Sequence, residues 1–281
     1  QIQSQIHYNL SVALQRALVA DVPVGLSLSG GIDSCAIAAI AKKEFDTKLK
    51  CISIGYKGRP KSDERERAKV ISKKFGHEFH EVEISFEDIK GNFESFAKSL
   101  DEPVSDIAGF SYCSVFKKSR EIGLKAILSG IGGDEFFWGY PIHNRHCMES
   151  KRRQFLRSFI PQKFWSRFQK GYYGWTNQIM WNSGKMVSQK PQSFLSINDS
   201  IQKERLPYYT LTKRNCENWA QATQRILIES WLEGNCLTLN DRLSMHYSVE
   251  CRSPFLDGDL TDHALSIETN KKILLSTKKH L

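Results

Sequence analysis

Two stretches of this chain join glycines to acidic residues directly after an apolar run, and both could handle phosphate. The first is Ser29-Gly30-Gly31-Ile32-Asp33-Ser34, which follows the β-branched and leucine-rich residues 22–28. Glycines at a strand-to-helix turn let backbone N–H groups come close to phosphate oxygens, and the helix N-terminus adds partial positive charge. An aspartate inside such an anion site is costly unless a cation neutralises it, and Mg²⁺ on phosphate is the natural partner. The Gly-Lys-Ser/Thr ending of a Walker A loop is absent. The second stretch is Leu128-Ser129-Gly130-Ile131-Gly132-Gly133-Asp134-Glu135, running into Phe136-Phe137-Trp138-Gly139-Tyr140. One such turn alone is weak evidence, since it can also be read as a glycine-rich turn with a polar cap. Two at the carboxyl ends of parallel strands can face one crevice.

A third block, Leu239-Asn240-Asp241-Arg242-Leu243-Ser244-Met245 and then residues 248–257, reads as a helix, a strand-like link and a turn. Its charges fit a structural ion-pair network as well as a substrate site. The elements that must position these blocks follow from periodicity and turn residues. Strands are expected at 22–28, 50–56, 78–84 and 125–128. Helices are expected after residue 34 and at 64–75, about 86–100, 110–121, 221–233, 237–248 and 260–267. Ser62 or Asp63 would cap the helix at 64–75. Strands alternating with helices imply an α/β fold with a doubly wound, mainly parallel sheet and a helical C-terminal part. Residues 150–215 are rich in Arg, Lys, Trp, Phe and Tyr without strand rhythm, and read as helices and loops beside the sheet. No repeat or low-complexity linker interrupts the 281 residues, so they read as one continuous unit.

Composition narrows the class. With 40% hydrophobic and 25% charged residues the chain is ordinary for a globular protein. No apolar run approaches the ~20 residues that span a bilayer. The seven cysteines are odd in number, widely spaced and without a Cys-x-x-Cys pair, which fits free thiols in a reducing, cytoplasmic setting. The net charge of +9 fits an anionic substrate, a nucleic acid or merely a lysine-rich surface. His143, His146 and Cys147 lack a second ligand pair at metal spacing. His77 and His80 flank a strand as surface or packing residues, and the aromatic residues between 165 and 181 read as helix core.

The two glycine motifs and the third block, in this order, resemble the synthetase domain of asparagine synthetases, members of the pyrophosphate-loop ATPases. Ser62-Asp63-Glu64 and residues 100–106 match more weakly, and 150–215 carries no matching motif. The resemblance implies an adenine-nucleotide α-hydrolase-like fold. It implies ATP and Mg²⁺ as cofactors. Ser29, Gly30, Gly31, Asp33 and Ser34 would hold pyrophosphate and Mg²⁺, and Leu28, Ile54, Ser129 and Gly130 would contact the nucleotide. Asp134 would share the Mg²⁺, with Glu135 beside it, and Lys279 corresponds to an active-site lysine. Glu102, Asp106, Glu135 and Arg242 are candidates for the substrate.

The reaction implied is adenylation of a carboxylate, aspartate in the leading case, then amide formation with ammonia released from glutamine by a glutaminase domain. That domain would lie outside this chain, which reads as an excised part of a longer protein that starts inside a linking helix. A membrane partner is not expected, and a homodimer is left open. Ile131 departs from the glutamate that family members often carry there as a base for the attacking amine. Either ammonia needs no base, or Glu102 or Asp106 supplies it, or the acceptor differs, as in β-lactam synthetases, lasso-peptide cyclases and sugar-acid amidotransferases. A tRNA-modifying enzyme would suit the charge but lacks its Cys-x-x-Cys. A non-catalytic nucleotide-binding module conflicts with retention of Asp33, Asp134 and Lys279.

Overall fold

The computed structural model describes residues 2–60, 63–101, 106–140, 159, 221, 224–225, 227–268 and 271–272. The long N-terminal helix α1 (Ile2–Leu18) leads into β1 (Val24–Ser27), α2 (Ile32–Phe45), β2 (Lys50–Tyr56), α3 (Arg65–Lys74) and β3 (Glu78–Ile84). Then come α4 (Phe86–Lys98), α5 (Ala108–Glu121), β4 (Ala126–Leu128) and the short α6 (Gly133–Phe137). A wide π-type helix, Leu227–Leu237, precedes α7 (Thr238–His246), β5 (Glu250–Arg252), the 3-10 turn Pro254–Leu256 and α8 (Gly258–Ser266).

The five strands form one sheet in the order β3-β2-β1-β4-β5, and every pair is parallel. Strands buried on both faces need apolar residues at consecutive positions. Leu26, Leu28, Cys51 and Leu128 enter the core shared with α1, α2, α3 and α8. Ile52 and Ile127 enter the core shared with α4, α5 and α7. Helices on both faces of a parallel sheet are the layering expected of strands alternating with helices. Where the chain must turn sharply, local chemistry marks the ends. Ser85 and Asp88 form a capping box at α4, and Asp46 closes α2 in the left-handed region with φ 47°.

Strand order matters most for function. From β1 the chain winds outward through β2 to β3, then returns to the other side of β1 with β4. The order therefore reverses between β1 and β4, the place where open α/β sheets leave a crevice beyond the strand ends. Both glycine motifs follow these two strands. The strand-like link of the third block is β5, paired Ala126 to Glu250 and Leu128 to Arg252.

The chain divides into two compact units, Gln1–Gly139 with Ser230–Leu281, and Tyr140–Glu229. The sequence, read as one continuous unit, hints at this division only by the changed composition of residues 150–215. The expectation for 150–215 falls almost wholly outside the described residues, as do His143, His146, Cys147 and the aromatic stretch 165–181. His77 is buried, accepting at Nδ1 from the Leu49 N–H (3.2 Å) and meeting the Ala38 carbonyl at Nε2 (2.9 Å). His80 pairs with Glu78 at 2.8 Å. No helix among the described residues is long and apolar enough to cross a membrane.

Candidate functional site

The first turn leaves β1 through Leu28, whose N–H donates to the Ile52 carbonyl at 2.8 Å. Leu28 is wholly buried, so its side chain packs beneath the turn, while Ile54 on the neighbouring strand is only half-buried. Two serines organise the loop. Ser34 Oγ accepts from the Ser29 N–H (3.2 Å), contacts Ser29 Oγ (3.1 Å) and donates to the Gly31 carbonyl (3.2 Å). Ser29 Oγ in turn accepts from the Gly31 N–H at 3.2 Å. Gly31 caps α2 in extended geometry, which puts Asp33 in the first turn of the helix. Gly30 has φ 78°, and a Cβ there would lie 3.0 Å from the Glu64 carbonyl and 3.3 Å from Ala68 N. The loop therefore runs against the first turn of α3, and only glycine permits it.

The second turn leaves β4 at Ser129, whose N–H donates to the Arg252 carbonyl of β5 at 2.9 Å. It is shaped by close approaches. A Cβ on Gly130 would lie 3.2 Å from Ser34 N and 3.3 Å from Asp33 Cβ. A Cβ on Gly133 would lie 2.5 Å from Asp33 Cγ and 2.8 and 2.9 Å from the two carboxylate oxygens. Gly132 has φ 98°, with Leu256 Cδ2 2.5 Å from where its Cβ would be. So the two glycine motifs meet at Asp33, and the third block closes on the second through Leu256. Asp134 follows Gly133 in the first turn of α6 and is half-buried. Ile131 is half-buried in the turn, and its N–H donates to Ser129 Oγ at 3.3 Å.

The substrate candidates have different settings. Asp106 accepts from the Ala108 N–H at 3.0 Å at the start of α5 and from Asn235 Nδ2 at 2.6 Å, so one oxygen serves the local turn and the other ties it to the π-type helix. Arg242 donates to the Leu100 carbonyl and lies 3.7 Å from Asp101, which joins α7 to the end of α4. Glu135 is buried, 3% exposed. Burial, with Cys236, Asp106, Glu135 and Cys251 nearby, pushes the Tyr112 phenol well above its usual range. Burial and the carboxylates of Glu135 and Asp106 push the Cys236 thiol up to about 12. Tyr112, Cys236, Asp106, Glu135 and Cys251 thus share one neighbourhood. Glu102 and Lys279 lie outside the described residues.

Sequence reasoning did not single out Asn235 or Tyr112, because one polar residue within an ordinary helix carries no local signature. It also missed Arg65, a buried arginine beside the first turn. Its only signal was the Asp63-Glu64-Arg65 run, which reads equally well as a helix start.

The residues fit Mg²⁺ bound with pyrophosphate. This ion takes one or two carboxylates and completes its shell with phosphate oxygens and water. Asp33, pressed against the residue that precedes Asp134, offers that donor set without a dedicated protein cage. Among the described residues no group of three or more His, Cys, Asp and Glu side chains is arranged to hold a metal alone.

Comparison with known proteins places nearly the whole chain in a family. The chain is 28% identical over 276 residues to glutamine-hydrolyzing asparagine synthetase 1 of Bacillus subtilis (strain 168), covering 93% of the chain and 43% of that protein. It is 29% identical over 283 residues to asparagine synthetase 3 of the same organism, covering 93% and 42%. It is 23% identical over 331 residues to the amidase chry2 of Gibberella zeae, covering 99% and 48%. The chain therefore spans less than half the length of these relatives. The family described as asparagine synthase matches residues 5–281, and this chain belongs to that family.

Proposed function

We propose that this chain is the ATP-using synthetase part of an amide-forming ligase, activating a carboxylate as its adenylate and passing the acyl group to nitrogen. The observation that carries this reading is the meeting of the two glycine turns at Asp33, beyond adjacent strands where the sheet order reverses. A carboxylate oxygen attacks the α-phosphorus of ATP and the bond to pyrophosphate breaks. The nitrogen nucleophile then attacks the acyl carbon, gives up a proton, and AMP leaves. The backbone N–H groups of the first turn and the N-terminus of α2 bind and orient the β and γ phosphates. Asp33 and Asp134 would hold Mg²⁺, which supplies charge neutralisation of the pyrophosphate when bound. Lys279 would add a cation to the same leaving group.

In the leading form the carboxylate is aspartate and the nitrogen is ammonia, released from glutamine by a glutaminase domain. The names of the Bacillus subtilis relatives support it. A second form, the same chemistry on another acceptor, is favoured by Ile131, an apolar side chain in the second turn where family members often carry an acid. ATP–pyrophosphate exchange by the intact protein tests both. Exchange that depends on aspartate, followed by asparagine formation from glutamine or ammonium, supports the first. Exchange stimulated by a different carboxylate but not by aspartate replaces it with the second. No exchange with any carboxylate, although ATP binds, defeats both.

A further inference from the structure

The Arg65 side chain is 1% exposed, although it carries a charge. Its guanidinium is held from several sides. Nε donates to Asp63 Oδ1 at 3.0 Å, and Nη2 to Asp63 Oδ2 at 2.6 Å and to the Tyr56 carbonyl at 3.3 Å. Nη1 donates to Glu81 at 2.9 Å and to Glu83 at 3.3 Å. Asp63 also accepts from the Arg65 backbone N–H at 3.0 Å. A Cβ on Gly55 would lie 2.0 Å from Arg65 Nε, so the arginine occupies the space that a side chain at position 55 would need. The same helical turn forms the wall against Gly30, through the Glu64 carbonyl and Ala68 N.

Burying a charge costs several kcal/mol before pairing, and apolar packing at such a place is often no less stable. What the guanidinium fork adds is direction, because its donors reach three different elements at once. Here the elements are β2 at Tyr56, β3 at Glu81 and Glu83, and the approach to α3 at Asp63. We propose that Arg65 is a positioning residue for the nucleotide half of the site. It sets the first turn of α3 against the tips of β2 and β3, and that turn sets Gly30 and the phosphate loop. This rests on the reading of the first turn as an ATP site.

The test compares Arg65→Met, Arg65→Lys and Asp63→Asn in the intact protein. Mg-ATP affinity is read by calorimetry, and the KM for ATP and for the carboxylate by pyrophosphate exchange. Arg65→Met is expected to weaken ATP binding about tenfold or more, with the carboxylate KM within about twofold, because only the nucleotide half is displaced. Arg65→Lys should recover part of the loss, since a point charge cannot reach all the acceptors at once. Asp63→Asn, which keeps the arginine buried, should move ATP affinity the same way by a few-fold. ATP affinity within about twofold of the parent in a folded Arg65→Met overturns the proposal. If that variant does not fold, an unchanged affinity in Asp63→Asn does so. A fall in kcat alone also overturns it. A parent that binds ATP but exchanges no carboxylate sinks the ligase reading, while the calorimetry still decides the role of Arg65. A parent that binds no ATP overturns both.

Discussion

The glycine turn after β1 and the glycine turn after β4 occupy equivalent places on adjacent strands, yet they are held by different means. The first is bound by its own side chains. Ser29 and Ser34 make four hydrogen bonds within the loop, and of its two glycines only Gly30 is pressed by a neighbouring element. The second is shaped mainly by what its residues lack. Gly130 and Gly133 admit Asp33 and Ser34, and Gly132 admits Leu256 while holding a positive φ. One loop could keep its form alone, whereas the other takes its form from two neighbours. Substitutions in the first should therefore act on the ligand, and substitutions in the second on the fold as well.

The largest effect expected is at the point where the loops meet. Asp33→Asn keeps the shape of the side chain and removes its charge. Adenylation should fall about a hundredfold or more, comparable with removing one strong electrostatic contact in a transition state. The fold should survive, because the carboxylate sits at a helix start rather than in either core. Pyrophosphate exchange near the parent rate would end the assignment of Asp33 to the phosphate site. Next in size is Gly132→Ala. Its φ of 98° and the 2.5 Å approach to Leu256 both oppose a methyl group. Strain in the left-handed region costs roughly 1–2 kcal/mol, and repacking Leu256 adds to it. An unfolding free energy lowered by about 2 kcal/mol in urea titration is expected. A loss of ATP binding with undiminished stability would erase the contrast between the loops.

Much of the fold was legible because its signals are local. Strands β2 and β3 lie at the expected residues 50–56 and 78–84, where β-branched and aromatic residues fit a pleated surface. The turns were legible because there are two of them, each joining glycines to acidic residues after an apolar run, a pairing that structure alone explains poorly. The third block was harder. Its strand, Glu250–Arg252, has three residues, too few to show a period, and its membership of the sheet depends on pairing with β4. Strand order is likewise not written in any local pattern, so nothing in the sequence brings Gly133 onto Asp33. Asp106 and Arg242 illustrate the remaining limit. Arg242 read as equally suited to substrate or structure and Asp106 as a candidate for the substrate, and the structure engages them with the Leu100 carbonyl and with Asn235. Arg65 was invisible for a related reason, since an arginine in an acidic run is ordinarily solvated.

The smallest structural effect, and the sharpest division between the loops, is expected at Gly31. This glycine has φ −71°, open to any residue, and the nearest atom to a Cβ there is Ser29 Oγ at 3.2 Å, the end of an exposed side chain. The fold does not require glycine at this position, unlike Gly132. Gly31→Ala should cost under about 1 kcal/mol, the scale of an N-cap change. If the turn binds pyrophosphate through its backbone, however, the methyl group stands beside the N–H groups that must reach the phosphate oxygens. Mg-ATP affinity should then fall about tenfold, while thermal stability stays near that of the parent. Parallel calorimetry and thermal melts of Gly31→Ala and Gly132→Ala make the comparison direct. Equal loss of stability in both variants would mean the first loop leans on its surroundings as heavily as the second. Full ATP affinity in Gly31→Ala would mean that the glycine is not there for the ligand.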